Sequence, residues 1–360
     1  MMRIPVAVLG ATGAVGQKLL HLLVEHPMFE VVQVVASAER IGRAYGEEVR
    51  WRESARVPER LAALRFTDAE PGPGVRLAFS ALDASVARDL EPRWAAAGVL
   101  VVSNASAFRM EADVPLLMPE INPGHLALLE VQRSVRGWTG GIITNPNCST
   151  TVLAMALAPI HQAFGVRVAV VATLQAASGA GYPGVPSLDL LDNVIPYIGG
   201  EEPKIEAECA RILGAAAGGA IMPASFTISA MVHRVAVTDG HLVSVSIGLD
   251  RPASVDEVRE ALGAFRGHPD ARGLPSSPQS PVVVLPDDDR PQPRRDRDTG
   301  GGMTVSVGRL RPCPVHDIRL VALGHNLVRG AAGAAIQNAE LLVARGALLQ
   351  EGRVTRQDHG

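Results

Sequence analysis

Ile4-Pro5-Val6-Ala7-Val8-Leu9-Gly10-Ala11-Thr12-Gly13-Ala14-Val15-Gly16 is the stretch whose reading decides the fold. The apolar run reads as a buried strand, the glycines as a tight turn, and Leu19, Leu22 and Leu23 share one face of the helix that follows. A second apolar strand over residues 31–36 completes a βαβ unit of an α/β fold. Glycine at 10, 13 and 16 lets backbone N–H groups and a helix N-terminus approach a pyrophosphate. Gly10, Thr12, Gly13, Ala14 and Val15 are therefore candidate dinucleotide-binding residues. The spacing is G-x-x-G-x-x-G rather than G-x-G-x-x-G, and glycine turns of this kind also occur in α/β proteins that bind nothing.

The end of the second strand speaks to which dinucleotide. A site for NAD usually places an acidic residue there, on the ribose 2′-hydroxyl, whereas this chain has Ala36-Ser37-Ala38-Glu39-Arg40 and then Arg43. Ser37, Arg40 and Arg43 suit a 2′-phosphate, which favours NADP. Glu39 is the opposing signal, and the bland reading of the arginines is solvated loop charge.

Composition narrows the class. Lys and Arg number 34 against 37 Asp and Glu, a net charge of −3, so nothing electrostatic argues for a nucleic-acid or membrane partner. The cysteines, Cys148, Cys209 and Cys313, are three in number and far apart, which fits neither a disulfide framework nor a zinc ribbon. No metal site is expected. With no signal-peptide pattern and no uninterrupted apolar span, the expected location is the cytoplasm.

Further along, residues 76–79 and 99–102 read as strands around a helix over 84–97. Asn104 and Arg109 follow at a strand's C-terminal end, where ligands of open sheets bind. In Asn145-Pro146-Asn147-Cys148 a turn gives way to an apolar helical run, which puts a thiol in a first helical turn, where unpaired N–H groups favour thiolate. Strand 167–174 leads to Gln175 and a glycine-rich stretch, 175–184, that reads as a flexible loop. Glu201 and Lys204 open a helix three residues apart, either as handles for a zwitterion or as an ordinary exposed pair. Arg234 and His241 flank Asp239-Gly240 between two strands and are read as converging at one end of a hairpin. A histidine near a thiol is the expected acid and base partner. Residues 286–302 look like a long charged loop, a strand resumes at 303–307, 326–344 reads as one long helix, and the tail after Gly346 is polar and expected to be mobile.

These stretches together resemble aspartate-semialdehyde dehydrogenase, in the branch typical of archaea and fungi. The resemblance runs from Gly10-Ala11-Thr12-Gly13 to Asn326-Leu327-Val328-Arg329-Gly330-Ala331-Ala332, and its most specific parts are Asn145 to Cys148, Leu174 to Gly181, Arg234 to His241, and Asp289 to Arg294. It implies a Rossmann-type NADP-binding domain, 1–144 and 324–360, completed by the C-terminal helix, and a central α+β catalytic and dimerisation domain, 145–323. Cys148 would be the nucleophile, His241 the general acid and base, and Gln175 would orient the acyl group. Arg234 would bind the substrate carboxylate and Glu201 its amino group, while Lys204, Arg109 and Asn104 hold phosphate. Ser178, Gly179 and Asn326 would join the glycine turn in holding NADP. A homodimer or homotetramer is implied. Gly324 and Arg43 depart from the residues usual there, Ser and Lys.

The implied reaction is NADPH-dependent reductive dephosphorylation of L-aspartyl-4-phosphate to L-aspartate 4-semialdehyde through a cysteine thioester, toward lysine, threonine, methionine and isoleucine. The rivals are a malonyl-CoA reductase or related semialdehyde dehydrogenase of the same fold, and an inactive NADP-binding scaffold. A cysteine hydrolase fits poorly, because hydrolysis needs no dinucleotide.

Overall fold

The computed structural model describes residues 3–348, so the tail beyond 348 lies outside the described residues. Strand β1 (Ile4–Leu9) hands through the glycine turn to helix Ala14–Leu23, which buries Leu19, Leu20 and Leu23. Each such side chain contributes roughly 1.5–3 kcal/mol of apolar burial. Strands β2 (Phe29–Val35), β3 (Phe66–Thr67), β4 (Leu77–Ser80), β5 (Leu100–Ser103) and β6 (Gly141–Thr144) follow. All pair in parallel in the order β3-β2-β1-β4-β5-β6. The order reverses between β1 and β4, which opens a crevice at the strands' C-terminal ends, the Rossmann-type switch point. Gly16 is required here, since a Cβ on it would stand 2.2 Å from the Gly10 carbonyl oxygen.

Helix Cys148–Phe164 then leads into a second sheet. Its strands are β7 (Val166–Gln175), β8 (Val194–Ile195), β11 (Thr227–Val235), β12 (His241–Leu249), β13 (Val282–Val284), β14 (Val305–Pro312) and β15 (Ile318–Gly324). The hairpin β9 (Ala215–Ala217) and β10 (Ala220–Met222) stands apart. The seven strands run β13-β14-β15-β12-β7-β11-β8 in mixed directions, an α+β arrangement. The Cys148 helix is apolar all round because it is covered on every side: Leu153, Met155 and Leu157 are buried in the core that also holds Val171, Val232 and Val245. The opposite face of the sheet leaves Val170, Leu174 and Met231 exposed.

Helix Gly333–Ala344 returns to the first sheet, where Ile336, Leu341 and Leu342 share a core with Leu19 and Leu23. It is shorter than the expected 326–344, since a wider π turn, Val328–Ala332, precedes it. Three further expectations need correction. Arg234 and His241 do not close a hairpin, because β7 lies between β11 and β12 and pairs with both. Residues 286–302 are not a bare loop: they form a helical turn, Pro293–Asp296, and a 3-10 turn, Thr299–Gly302, pinned by the Arg290–Asp296 ion pair. The glycine-rich stretch after Gln175 forms a 3-10 turn, Ala177–Ala180, held by Ala177 N–H donating to the Val237 carbonyl at 2.7 Å.

Candidate active site

Cys148 is the first residue of its helix, and Asn147 is the N-cap, its Oδ1 accepting from the N–H groups of Ser149 at 2.9 Å and Thr150 at 3.2 Å. A cap of this kind is worth about 1 kcal/mol and fixes where the thiol points. Gly330 lies against it, and a Cβ there would come within 2.6 Å of the Cys148 Cβ. The sulfur's residue lines a cavity of about 670 Å³ between the two sheets, together with Asn104, Arg109, Gln175, Glu201, Lys204 and Arg234. The expected thiolate preference does not hold in the resting cavity. Burial pushes the Cys148 thiol up to about 12, Glu201 adds to the rise, and Arg109 and Arg234 oppose it. The Ser149 N–H at the helix start lowers it as well, but by less than these charges, and that N–H also donates to Asn147 Oδ1 at 2.9 Å.

Gln175 ends β7, Arg234 is its partner in register on β11, and His241 begins β12 on the other side. The central strand thus gathers three sequence-distant side chains at one sheet end. Gly179 roofs them: a Cβ on it would stand 2.7 Å from Arg234 Nη1 and 3.0 Å from His241 Nε2. Arg234 Nη1 donates to the Ala176 carbonyl at 2.7 Å, and the Ala176 N–H donates to His241 Nδ1 at 3.1 Å. With Nδ1 accepting, the neutral ring carries its proton on Nε2. Burial, with Arg234 and His325 adding to it, lowers His241 to about 3, so the ring is neutral at pH 7. His241 Nε2 is buried and has no hydrogen-bond partner among the described residues.

Helix Glu201–Ile212 supplies the charged wall. Glu201 accepts from Lys204 Nζ at 3.0 Å and from Asn147 Nδ2 at 2.7 Å, so this pair faces the cavity rather than bulk water. Arg109 is buried, donating to the Glu208 carboxylate at 3.1 Å and to the Asn104 carbonyl at 2.7 Å. Glu201, Lys204, Glu208 and Arg211 recur at helical spacing, and Arg211 reaches the carbonyls of Glu111 and Val114 at 2.7 and 3.0 Å. Sequence reading missed Glu208. Its signal was there in a helix face whose charges repeat every three to four residues beside candidate site residues.

On the cofactor side, the Ala14–Leu23 helix starts at Gly13 with no side-chain cap and no acidic first turn, which leaves its amides free for a pyrophosphate. The cavity lining runs from Val15 through Leu82, Asp83 and Ala84 to Ser178, Gly179, Asn326 and Leu327. Leu82 and Asp83, at the entry of helix Ala84–Ala96, escaped the sequence reading because nothing in their type marks them. Asn326 Oδ1 accepts from the Gly240 N–H and its Nδ2 donates to Ser178 Oγ, both at 2.8 Å, tying the C-terminal segment to the glycine turn. Ser37 precedes a one-turn 3-10 helix containing Arg40 without a side-chain hydrogen bond to it, and Arg43 pairs with Glu48 at 3.0 Å. These three lie past β2, outside the cavity lining.

Residues 5–129 match the family described as semialdehyde dehydrogenase, NAD binding domain, and residues 157–329 the semialdehyde dehydrogenase, dimerisation domain. Aspartate-semialdehyde dehydrogenase of Methanothermobacter thermautotrophicus is 51% identical over 94% of this chain and 98% of its own length. The solved aspartate semialdehyde dehydrogenase with NADP from Candida albicans superposes with a TM-score of 0.88 at 39% identity, covering 96% of this chain and 99% of that one. The Vibrio cholerae enzyme II, solved in complex with ASA, superposes at 0.76 with 28% identity over 95% and 99% of the two chains. With likeness over nearly the full length to curated relatives and both domain models matched, the chain belongs to the aspartate-semialdehyde dehydrogenase family.

Proposed function

We propose that the protein reduces L-aspartyl-4-phosphate to L-aspartate 4-semialdehyde with NADPH, through a thioester on Cys148, serving lysine, threonine, methionine and isoleucine synthesis. The observation that carries this reading is the cavity that joins Cys148 to cationic Arg109, Lys204 and Arg234 and to anionic Glu201. An acyl phosphate on an α-amino acid needs handles of both signs. Arg234 takes the α-carboxylate, Glu201 the ammonium, and Arg109 with Lys204 and Asn104 the phosphate. Gln175 orients the acyl carbonyl.

The Cys148 thiol gives up its proton, which departs on the phosphate, as the sulfur attacks the acyl carbon and the bond from that carbon to the phosphate oxygen breaks. His241 Nε2–H donates to the oxygen that becomes negative, the donor half of the expected acid–base role. When bound, NADPH supplies the hydride that brings the thioester to the aldehyde level. Cys148 then leaves as thiolate. The glycine turn at Gly10, Thr12, Gly13, Ala14 and Val15 would hold the pyrophosphate, Ser37, Arg40 and Arg43 the 2′-phosphate, and Ser178, Gly179 and Asn326 the nicotinamide end.

We divide the chain into an NADP-binding domain, 1–144 with 324–360, and a catalytic and dimerisation domain, 145–323. The sheet face exposing Val170, Leu174 and Met231 suits a homodimer or homotetramer contact. Among the described residues no helix is long and apolar enough to cross a membrane, and we assign the protein to the cytoplasm.

The reverse reaction tests the reading: NADPH formation from aspartate semialdehyde should require phosphate and vanish in Cys148→Ala while cofactor binding persists. Activity surviving Cys148→Ala, or reduction of malonyl-CoA with no turnover of aspartate semialdehyde, would overturn it.

A further inference from the structure

We infer that Glu208 is a positioning residue for phosphate, a single carboxylate that sets both the Arg109 guanidinium and the backbone entering the Cys148 helix. This rests on the phosphate role proposed above for Arg109. Glu208 is 2% exposed. One oxygen accepts from Arg109 Nη1 at 3.1 Å, and the other accepts from the Asn147 N–H at 2.6 Å, one residue before the nucleophile. Arg109 Nη2 is held separately by the Asn104 carbonyl at 2.7 Å. Its buried Nε has no hydrogen-bond partner among the described residues, and the residue lines the cavity. Two anchors thus fix the guanidinium plane while donors remain for an arriving anion, which is preorganisation rather than direct binding.

Both neighbours of Glu208 are donors, so the position demands two acceptors. Burial raises the Glu208 pKa, and the cation of Arg109 with the Asn147 N–H pulls it back. A glutamine of the same shape would turn an NH₂ toward either Arg109 or the Asn147 N–H, donor against donor. An aspartate would keep both acceptors and the charge on a stem one methylene shorter. A packing role and a positioning role therefore rank the two variants in opposite orders.

The experiment is steady-state kinetics of the reverse reaction on the intact protein with NADP, varying inorganic phosphate and aspartate semialdehyde separately. In Glu208→Gln the KM for phosphate should rise about tenfold or more, with the KM for aspartate semialdehyde changing less than about twofold, while Glu208→Asp should stay within about threefold of the unaltered protein for phosphate. A Gln variant equal to the unaltered protein, or an Asp variant worse than Gln, overturns the inference. If Glu208→Gln fails to bind NADPH or to fold, the Asp variant decides alone, and a tenfold rise in its phosphate KM counts against positioning. The same assay on the unaltered protein separates the two levels: turnover independent of phosphate would bring down the proposed reading of the site and this inference with it, whereas phosphate-dependent turnover with an indifferent Gln variant removes only Glu208.

Discussion

At the scale of single residues, the resting site holds a neutral thiol and a neutral imidazole. Cys148 is pushed up to about 12 chiefly by burial, with Glu201 reinforcing the rise. Because thiolate is the species that reacts, carboxamidomethylation of Cys148 by iodoacetamide should accelerate from pH 6 to 9 with no plateau. Glu201→Gln, which removes the nearby negative charge, should speed it several-fold at pH 8. A plateau near pH 7 would mean that the helix start, not burial, governs the sulfur. Gly179 is the second lever. An alanine there meets Arg234 Nη1 at 2.7 Å and His241 Cε1 at 2.9 Å, so Gly179→Ala should lower turnover about a hundredfold or more through displacement of both groups. NADPH titration by fluorescence should show weakened binding as well, since Gly179 also belongs to the nicotinamide end, and unaltered turnover would refute the roofing role.

Elements explain why part of the site was legible and part was not. The Cys148 helix start carries its own local evidence, since Asn147 before an apolar run is an N-cap signature and the structure forms that cap. Arg234 and His241 stood out by residue type and spacing, yet their connection was misjudged, because local spacing cannot reveal that β7 inserts between their strands. Glu208 was passed over because charged residues at helical spacing ordinarily mark a solvated face, whereas the packing of helix Glu201–Ile212 against the Cys148 helix buries it. Helix Ala84–Ala96 hides a further buried acid. Glu91 is fully covered, accepts from Ser103 Oγ at 2.6 Å, and is raised to about 7 by burial, against the hydrogen bond from Ser103. A raised acid holds its proton in the folded state where the unfolded chain has lost it. The resulting stabilisation is complete below the unfolded value near 4.5 and disappears as pH rises through 7. Relative to the native chain, Glu91→Gln should therefore gain stability between pH 5 and pH 8, by about 1–3 kcal/mol. Calorimetric melting at the two pH values checks this, and a difference independent of pH would refute it.

Across the whole molecule, the two cores are joined where residues 116–118 alternate between them, Leu116 and Met118 facing the second-sheet core and Leu117 the first. Just beyond, Glu120 receives Arg329 through two hydrogen bonds of 2.7 and 2.8 Å, and Gln337 donates to it at 2.7 Å. Arg329 precedes Gly330, the residue against Cys148, so this buried pair ties the returning C-terminal segment both to the junction of the cores and to Cys148. Removing one partner of such a pair strands the other charge, at a cost of about 3–5 kcal/mol. Arg329→Met should accordingly lower the melting temperature by several degrees and slow Cys148 alkylation. Adding Glu120→Gln should recover more than half of the lost stability, because the stranded charge is gone while Gln337 keeps an acceptor. A double-mutant cycle by calorimetry measures that coupling, and strictly additive losses would show that the pair does not hold the two halves of the molecule in register around the active site.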